Sequence, residues 1–155
     1  MRGKTALGVK AMRLSTKGRY AVMAMADLAR REGDAARAVA LADIAARQEI
    51  SLSYLEQLFA RLRRKGLVIS ARGPGGGYRL ARSAEETWIA DIVHAVDEPL
   101  RATRCAQAKG CMTKGERCLT HDLWEDLGHR IEDYLASVSL ADVLNGRLSH
   151  DRRAA

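Results

Sequence analysis

Three cysteines and a histidine fall within seventeen residues: Cys105, Cys111, Cys118 and His121, separated by five, six and two residues. They include every cysteine of the chain. Thiolate sulfur and imidazole nitrogen together suit zinc or an iron-sulfur centre, both of which want soft sulfur donors and tolerate nitrogen. Structural zinc sites usually contain a Cys-x2-Cys knuckle, which this chain lacks, so an iron-sulfur centre stands ahead of zinc. An odd number of closely grouped cysteines argues against a disulfide framework. A nucleophilic cysteine would need a paired base and an orienting group, and the sequence marks neither; His121 is better explained as a ligand. The loop that carries the cysteines is low in apolar residues and contains Gly110 and Gly115, so its shape is expected to depend on what it binds.

The rest of the chain must position that loop and use it. At 155 residues and 47% hydrophobic composition there is material for about one domain with a real core. Nothing approaches the roughly 18 apolar residues of a membrane span. No apolar block follows Arg2, Lys4 and Lys10, so no membrane partner and a cytoplasmic location are expected. The charge is divided unevenly. Residues 1–82 hold 17 of the 26 basic and 6 of the 19 acidic residues, so the front half is strongly cationic while the rear half is net acidic. A cationic half suits a polyanion if the fold presents it.

Residues 1–11 read as a flexible extension. From Ser15 to about Arg31, Tyr20, Met23, Ala24 and Leu28 recur at helical spacing, with Ser15 or Thr16 as cap and Gly33 as stop. Leu41, Ile44 and Ala45 mark a short second helix ending near Gln48. A third runs from about Ile50 to Lys65. Its apolar face is Leu55, Leu58, Phe59 and Leu62, and Ser53 with Glu56 has the spacing of a capping box. The opposite face carries Ser53, Gln57, Ala60, Arg61 and Arg64, small and hydrogen-bonding in front and basic behind. Such a face suits a helix that reads base edges with its first turns and meets phosphate with its last.

Leu67–Ser70 and Tyr78–Leu80 read as short strands joined by Arg72-Gly73-Pro74-Gly75-Gly76-Gly77. Three helices followed by a hairpin is the order of a winged helix-turn-helix. The glycine-rich stretch leads into a strand and lacks a following Lys-Ser/Thr, which disfavours a nucleotide-phosphate loop. Arg72, at the base of an exposed tip, is placed to enter a minor groove. The candidate DNA contacts are Arg13 and Lys17 near the first helix, then Ser51, Ser53, Tyr54, Glu56, Gln57 and Arg61 on the third. Arg72, Gly73 and Pro74 supply those of the wing.

Ser83 with Glu86 can cap the next element, whose apolar face is Ile89, Ile92, Val93 and Val96, with Pro99 as its end. From about Thr120, Leu123, Trp124, Leu127, Ile131, Leu135 and Val138 describe a helix of roughly five turns at 3.6 residues per turn. In so small a chain a stripe of that length finds cover on a second copy, which also matches two-fold DNA sites. Ser139 and Asp142 start a short last helix that ends at Asn145-Gly146. The expected organisation is therefore mainly α. A winged helix-turn-helix spans 12–82, a connecting helix 83–99 and a cluster-binding loop 100–120. A long dimerisation helix with the short final helix occupies 121–146, and a disordered tail 147–155.

The stretch Met12 to Val22, the stretch Ile50 to Phe59, the wing Arg72 to Tyr78, the segment Ala102 to Cys105, and Cys118-Leu119-Thr120-His121 with Leu123-Trp124 together resemble the IscR family of bacterial iron-sulfur cluster regulators. The resemblance runs from Met12 to about Gly146. The first three motifs are shared with wider winged regulators, including the nitric-oxide sensor NsrR and the iron regulator RirA; the Cys-x2-His ending points to IscR. The resemblance implies a 2Fe-2S cluster ligated by Cys105, Cys111, Cys118 and His121, a homodimer, and DNA targets that are genes for cluster assembly. Scaffold proteins of that pathway would supply the cluster, and there would be two operator classes, only one of which needs it. One departure is visible: six residues, Met112 to Arg117, separate the second and third cysteines where the family pattern has five. A nitric-oxide- or iron-responsive regulator, a zinc-stapled interaction module and a small electron carrier are the other readings.

Overall fold

The computed structural model describes residues 15–33, 37–96, 112 and 116–148. The expected extension 1–11, Arg13, Pro99, Cys105, Cys111 and residues 149–155 of the expected tail lie outside them.

Helix α1 (Thr16–Glu32) starts where the Ser15 hydroxyl accepts from the Gly18 N–H at 3.2 Å and stops at Gly33, whose φ is +55°. Its buried face is Ala21, Ala24, Met25 and Leu28, one stripe at helical spacing. Helix α2 (Leu41–Gln48) ends on Glu49, held in the left-handed region at φ 54°. The chain then turns at once into α3 (Leu52–Arg64), which buries Leu55, Leu58, Phe59 and Leu62 as its spacing requires.

The cap of α3 differs from the expected one. Ser51, in extended backbone, accepts from the Tyr54 N–H at 3.4 Å, while Ser53 already lies inside the helix with its Oγ 3.0 Å from that of Ser51. Only half of a capping box is used, because the residue three places after Ser51 is a tyrosine and carries no carboxylate to reach back.

Strands β1 (Val68–Ala71) and β2 (Gly77–Leu80) form the wing, paired antiparallel with Val68 opposite Leu80 and Ala71 opposite Gly77. Val39, from the connection between α1 and α2, pairs with Tyr78 on the outer side of β2 through two backbone hydrogen bonds of 2.9 and 2.8 Å. That close approach explains Gly77: a Cβ there would sit 2.2 Å from the Val39 carbonyl oxygen.

Ser83 and Glu86 do bond to each other, the Glu86 N–H donating to the Ser83 hydroxyl at 3.3 Å and that hydroxyl to the Glu86 carboxylate at 3.2 Å, but they cap a single 3-10 turn over Ala84–Glu86 rather than the helix. Thr87 is extended and buried, its hydroxyl donating to the Ser83 carbonyl at 2.8 Å, so α4 (Ile89–Val96) begins only afterwards. Helix α5 (His121–Ser137) ends one residue short of the expected Val138, which is extended because its carbonyl accepts from the Ile89 N–H at 3.0 Å. The Leu140 N–H reciprocates to the Thr87 carbonyl at 2.8 Å, and α6 (Leu140–Leu144) follows from a complete Ser139–Asp142 capping box.

One core joins these pieces. Met25, Leu28, Ile44, Leu55, Phe59, Leu62, Ile92, Val93 and Leu140 are all sealed from solvent, so α4 and α6 pack into the same interior as the first three helices and the wing. Tyr78 closes its wing side, edge-on to Phe59 with ring centroids 5.0 Å apart. Helix α5 is held differently. It packs on α4, yet Leu123 is 59% and Tyr134 39% exposed, and Trp124, Leu127, Ile131 and Leu135 are only half-buried. Among the described residues no helix is long and apolar enough to cross a membrane.

Candidate nucleic-acid interface and metal centre

With four large side chains of α3 directed inward, the remaining side of that helix is forced outward. Ser53, Glu56, Gln57, Ala60 and Arg64 are exposed, and Ser51 is exposed at the helix start. Tyr54 is half-buried, its ring edge-on to Tyr20 of α1 at 5.9 Å and 84°, which ties the start of α3 to the first helix. Lys17 is exposed in the first turn of α1. Arg72, Gly73 and Pro74 are exposed at the wing, where the Gly76 N–H donates to the Gly73 carbonyl at 2.8 Å and closes the tip.

Arg61 is placed differently from the other candidate contacts. Its Nη1 donates to the Val96 carbonyl at 2.7 Å, so this guanidinium serves a carbonyl in the last turn of α4, where helix geometry leaves acceptors without intrahelical donors. A pattern of residue types along α3 could not show that partner, thirty-five residues away.

A cluster joins α1 to the far end of α2, just ahead of α3. Asp27, 9% exposed, accepts from Arg47 Nε at 3.1 Å to each carboxylate oxygen, from Arg47 Nη2 at 2.6 Å and from Gln48 Nε2 at 2.7 Å. Burial alone would push its carboxyl upward. Hydrogen bonds from Arg47 and Gln48, with the charges of Arg47 and Arg31, outweigh that and hold it below the ordinary carboxylate value. Sequence reading missed this clamp, because nothing local links residues twenty apart.

Cys118 and His121 stand together at the head of α5. The His121 N–H donates to the Cys118 carbonyl at 3.1 Å, so the two side chains sit within one turn. Cys118 is half-buried with its sulfur 3.7 Å from Thr120 Oγ1, and His121 is buried. Sequence reading also missed the acidic neighbours. Glu125 lies one turn on, its Oε2 3.7 Å from His121 Nε2, and possible ligand atoms of His121, Asp122 and Glu125 fall within 4.8 Å of one another. The i, i+4 spacing of His121 and Glu125 was the available signal. Arg117 pairs with Asp122 at 2.7 Å beside them. A thiol and an imidazole three residues apart at one helix start are soft donors of the types an iron-sulfur or zinc centre takes, with the Glu125 carboxylate beside the ring.

A family model described as Rrf2, iron-dependent transcriptional regulator, matches residues 14–146. The chain belongs to the Rrf2 family. It is 53% identical over 152 residues to the HTH-type transcriptional regulator IscR of Photorhabdus laumondii, covering 93% of this chain and 91% of that one. The corresponding protein of Pectobacterium carotovorum is 54% identical over 136 residues, 88% of this chain and 81% of the relative. Among solved structures, T. potens IscR superposes with a TM-score of 0.71 at 38% identity, covering 92% and 93% of the two chains. CymR, the global cysteine regulator of B. subtilis, gives 0.73 at 30% identity, covering 86% and 97%. The Rrf2 membership and the three-helix-plus-wing order agree: the protein is a winged-helix, DNA-binding transcriptional regulator and not an enzyme.

Proposed function

We propose that this Rrf2 protein is a homodimeric, cytoplasmic sensor of iron-sulfur supply that represses genes for cluster assembly. Its sensing centre would be a 2Fe-2S cluster on Cys105, Cys111, Cys118 and His121, delivered by a scaffold protein of the assembly pathway. The observation that carries this reading is the pairing of Cys118 with a buried His121 at the head of α5, in a chain of an iron-dependent family. Bound there, the cluster would supply reversible redox and assembly-state chemistry. A neutral, protonatable imidazole in place of a fourth thiolate leaves such a site less negative and more labile, the property a supply gauge needs.

The chain's own residues would do the rest. Arg13, Lys17, Arg64 and Arg72 supply the salt-dependent attraction to phosphate, while Ser51, Ser53, Tyr54 and Gln57 face the base edges. Glu56 is a carboxylate on that same face, repelled by phosphate unless a cytosine amino group accepts it as partner, so it would separate the two operator classes. Arg61 and the His94–Glu132 contact, 2.8 Å, tie α4 to α3 and α5 respectively and offer a mechanical link from α5 to the reading helix. The half-covered stripe of α5 supports pairing with a second copy.

The deciding experiment is anaerobic isolation followed by a visible spectrum with iron and acid-labile sulfide counts. Two iron and two sulfide per chain, lost in His121→Ala, are expected. Colourless protein with stoichiometric zinc would replace the reading with a stapled module. Iron without sulfide would move it to a mononuclear site using His121, Asp122 and Glu125.

A further inference from the structure

The wing is an edge-exposed hairpin, and on its own a two-stranded hairpin is marginally stable. Its N–H groups alternate in direction along β2. The Ala81 N–H donates inward to the Leu67 carbonyl, while those of Tyr78 and Leu80 point to the outer edge. Tyr78 is met there by Val39. Leu80 is met by a side chain: Glu32 Oε2, at the last residue of α1, accepts its N–H at 2.8 Å. The carboxylate thus extends the edge that Val39 begins, and the two fasten β2 to both sides of the α1–α2 connection.

Other forces would select against a carboxylate at this position. The C-terminal turn of a helix favours cations, and Arg30 and Arg31 satisfy that preference within the same turn. The half of the chain that carries Glu32 is strongly cationic, and any negative charge there weakens attraction to a polyanion. We infer that Glu32 is a positioning residue for DNA binding: by accepting the Leu80 N–H it fixes the strand behind Arg72 and sets the aim of the wing without touching DNA. The inference rests on the reading of the wing as a DNA contact.

Opposite signs make it testable. Affinity would be measured for a duplex selected from a random pool with the wild-type protein, using Glu32→Ala, Glu32→Gln, Arg72→Ala and the Glu32→Ala/Arg72→Ala pair. Electrostatics alone predicts that Glu32→Ala binds more tightly, since a negative charge is gone. Loss of aim predicts weaker binding, by about tenfold, the scale of one charge-assisted hydrogen bond. Glu32→Gln keeps an acceptor oxygen without the charge and should bind at least as well as wild type. With Arg72 already replaced, Glu32→Ala should add less than about twofold, because the two act through one element. Tighter or unchanged binding by Glu32→Ala, or the same loss in both backgrounds, overturns the proposal. Hydrogen exchange at the Leu80 amide in DNA-free protein reads the anchor separately. Protection should fall in the alanine variant and persist in the glutamine variant, and equal protection in both overturns the anchor. Wild-type affinity of Arg72→Ala would instead refute the wing contact, a failure that leaves the exchange result standing and so can be told apart.

Discussion

Asp27→Ala removes the acceptor of every bond in the α1–α2 clamp. Four donor contacts of 2.6–3.1 Å reach that carboxylate, three from Arg47 and one from Gln48. Stripping one partner from a fully buried ion pair costs about 3–5 kcal/mol, chiefly because the other charge is stranded. Here the Arg47 side chain keeps 31% of its surface in water, so much of its charge can be rehydrated. The Gln48 amide loses a bond to an ionised acceptor, which adds roughly 1.5 kcal/mol. A total of about 2–3 kcal/mol follows, and with a urea m-value of about 1–3 kcal/mol/M the midpoint drops by roughly 1–2 M. The folded carboxyl lies below its ordinary 3.8, so the clamp's contribution is fully present above the unfolded value and disappears as pH falls through the folded one. Urea titrations of both proteins at neutral pH and near pH 3, at one fixed protein concentration, should therefore show a wide gap that narrows in acid. A gap below about 0.5 kcal/mol at neutral pH, or one indifferent to pH, would refute the assignment of this stability to the Asp27 charge.

Leu123→Glu, or the same change at the half-buried Ile131, places a charge on the open stripe of α5 and should convert dimers to monomers in sedimentation velocity while the helical signal of the winged domain persists. Gly77→Ala has no room, with Val39 oxygen 2.2 Å from the new Cβ, and should lower the melting temperature by well over the roughly 4 °C that about 1 kcal/mol produces, together with a loss of DNA affinity. Glu56→Ala should let cluster-free protein bind operators that otherwise need the loaded form; undiminished discrimination in gel shifts would remove Glu56 from the account. His121→Cys should lengthen the lifetime of the visible chromophore in air, and an unchanged decay would remove the imidazole as the source of lability.

Much of the fold was legible because it rests on local periodicity. The stripes Leu55–Leu62 and Ile89–Val96 each bury as spaced, and the run Gly73 to Gly77 turns between two strands. Illegible parts depend on residues far apart or on competing local signals. Ser53 and Glu56 satisfied the pattern of a capping box, yet Ser51, without an acid in the matching position, supplies the cap. Ser83 and Glu86 satisfied it too and were consumed by a 3-10 turn, because Thr87 is pulled into extended pairing with the Val138–Leu140 segment. Nothing near Val39 announces a strand partner, and nothing near Glu32 or Arg61 announces the backbone groups they serve. Of the candidate metal ligands, Cys118 and His121 were readable from their spacing, whereas Glu125 was signalled only by its i, i+4 place after the histidine on the expected helix and was passed over.

The closed core and helix α5 are stabilised by unlike means, and this bears on how a signal could pass between them. Around Phe59, Met25 and Leu28 the core is closed, so its stability is intrinsic to a single chain. Helix α5 buries only part of its stripe against α4 and begins at a thiol and an imidazole. Its stability is open to mass action: whatever binds its folded form, a second copy on the stripe or a metal centre at its head, strengthens it by an amount set by concentration and affinity. Helix α4 touches both regions, through Arg61 on one side and the His94–Glu132 pair on the other. An event that strengthens α5 therefore acts on a helix that also braces α3, while the closed core keeps the reading helix folded in either condition. The proposed sensor would need that asymmetry, since a centre whose loss unfolded the DNA-binding half could not leave cluster-free protein on a second operator class.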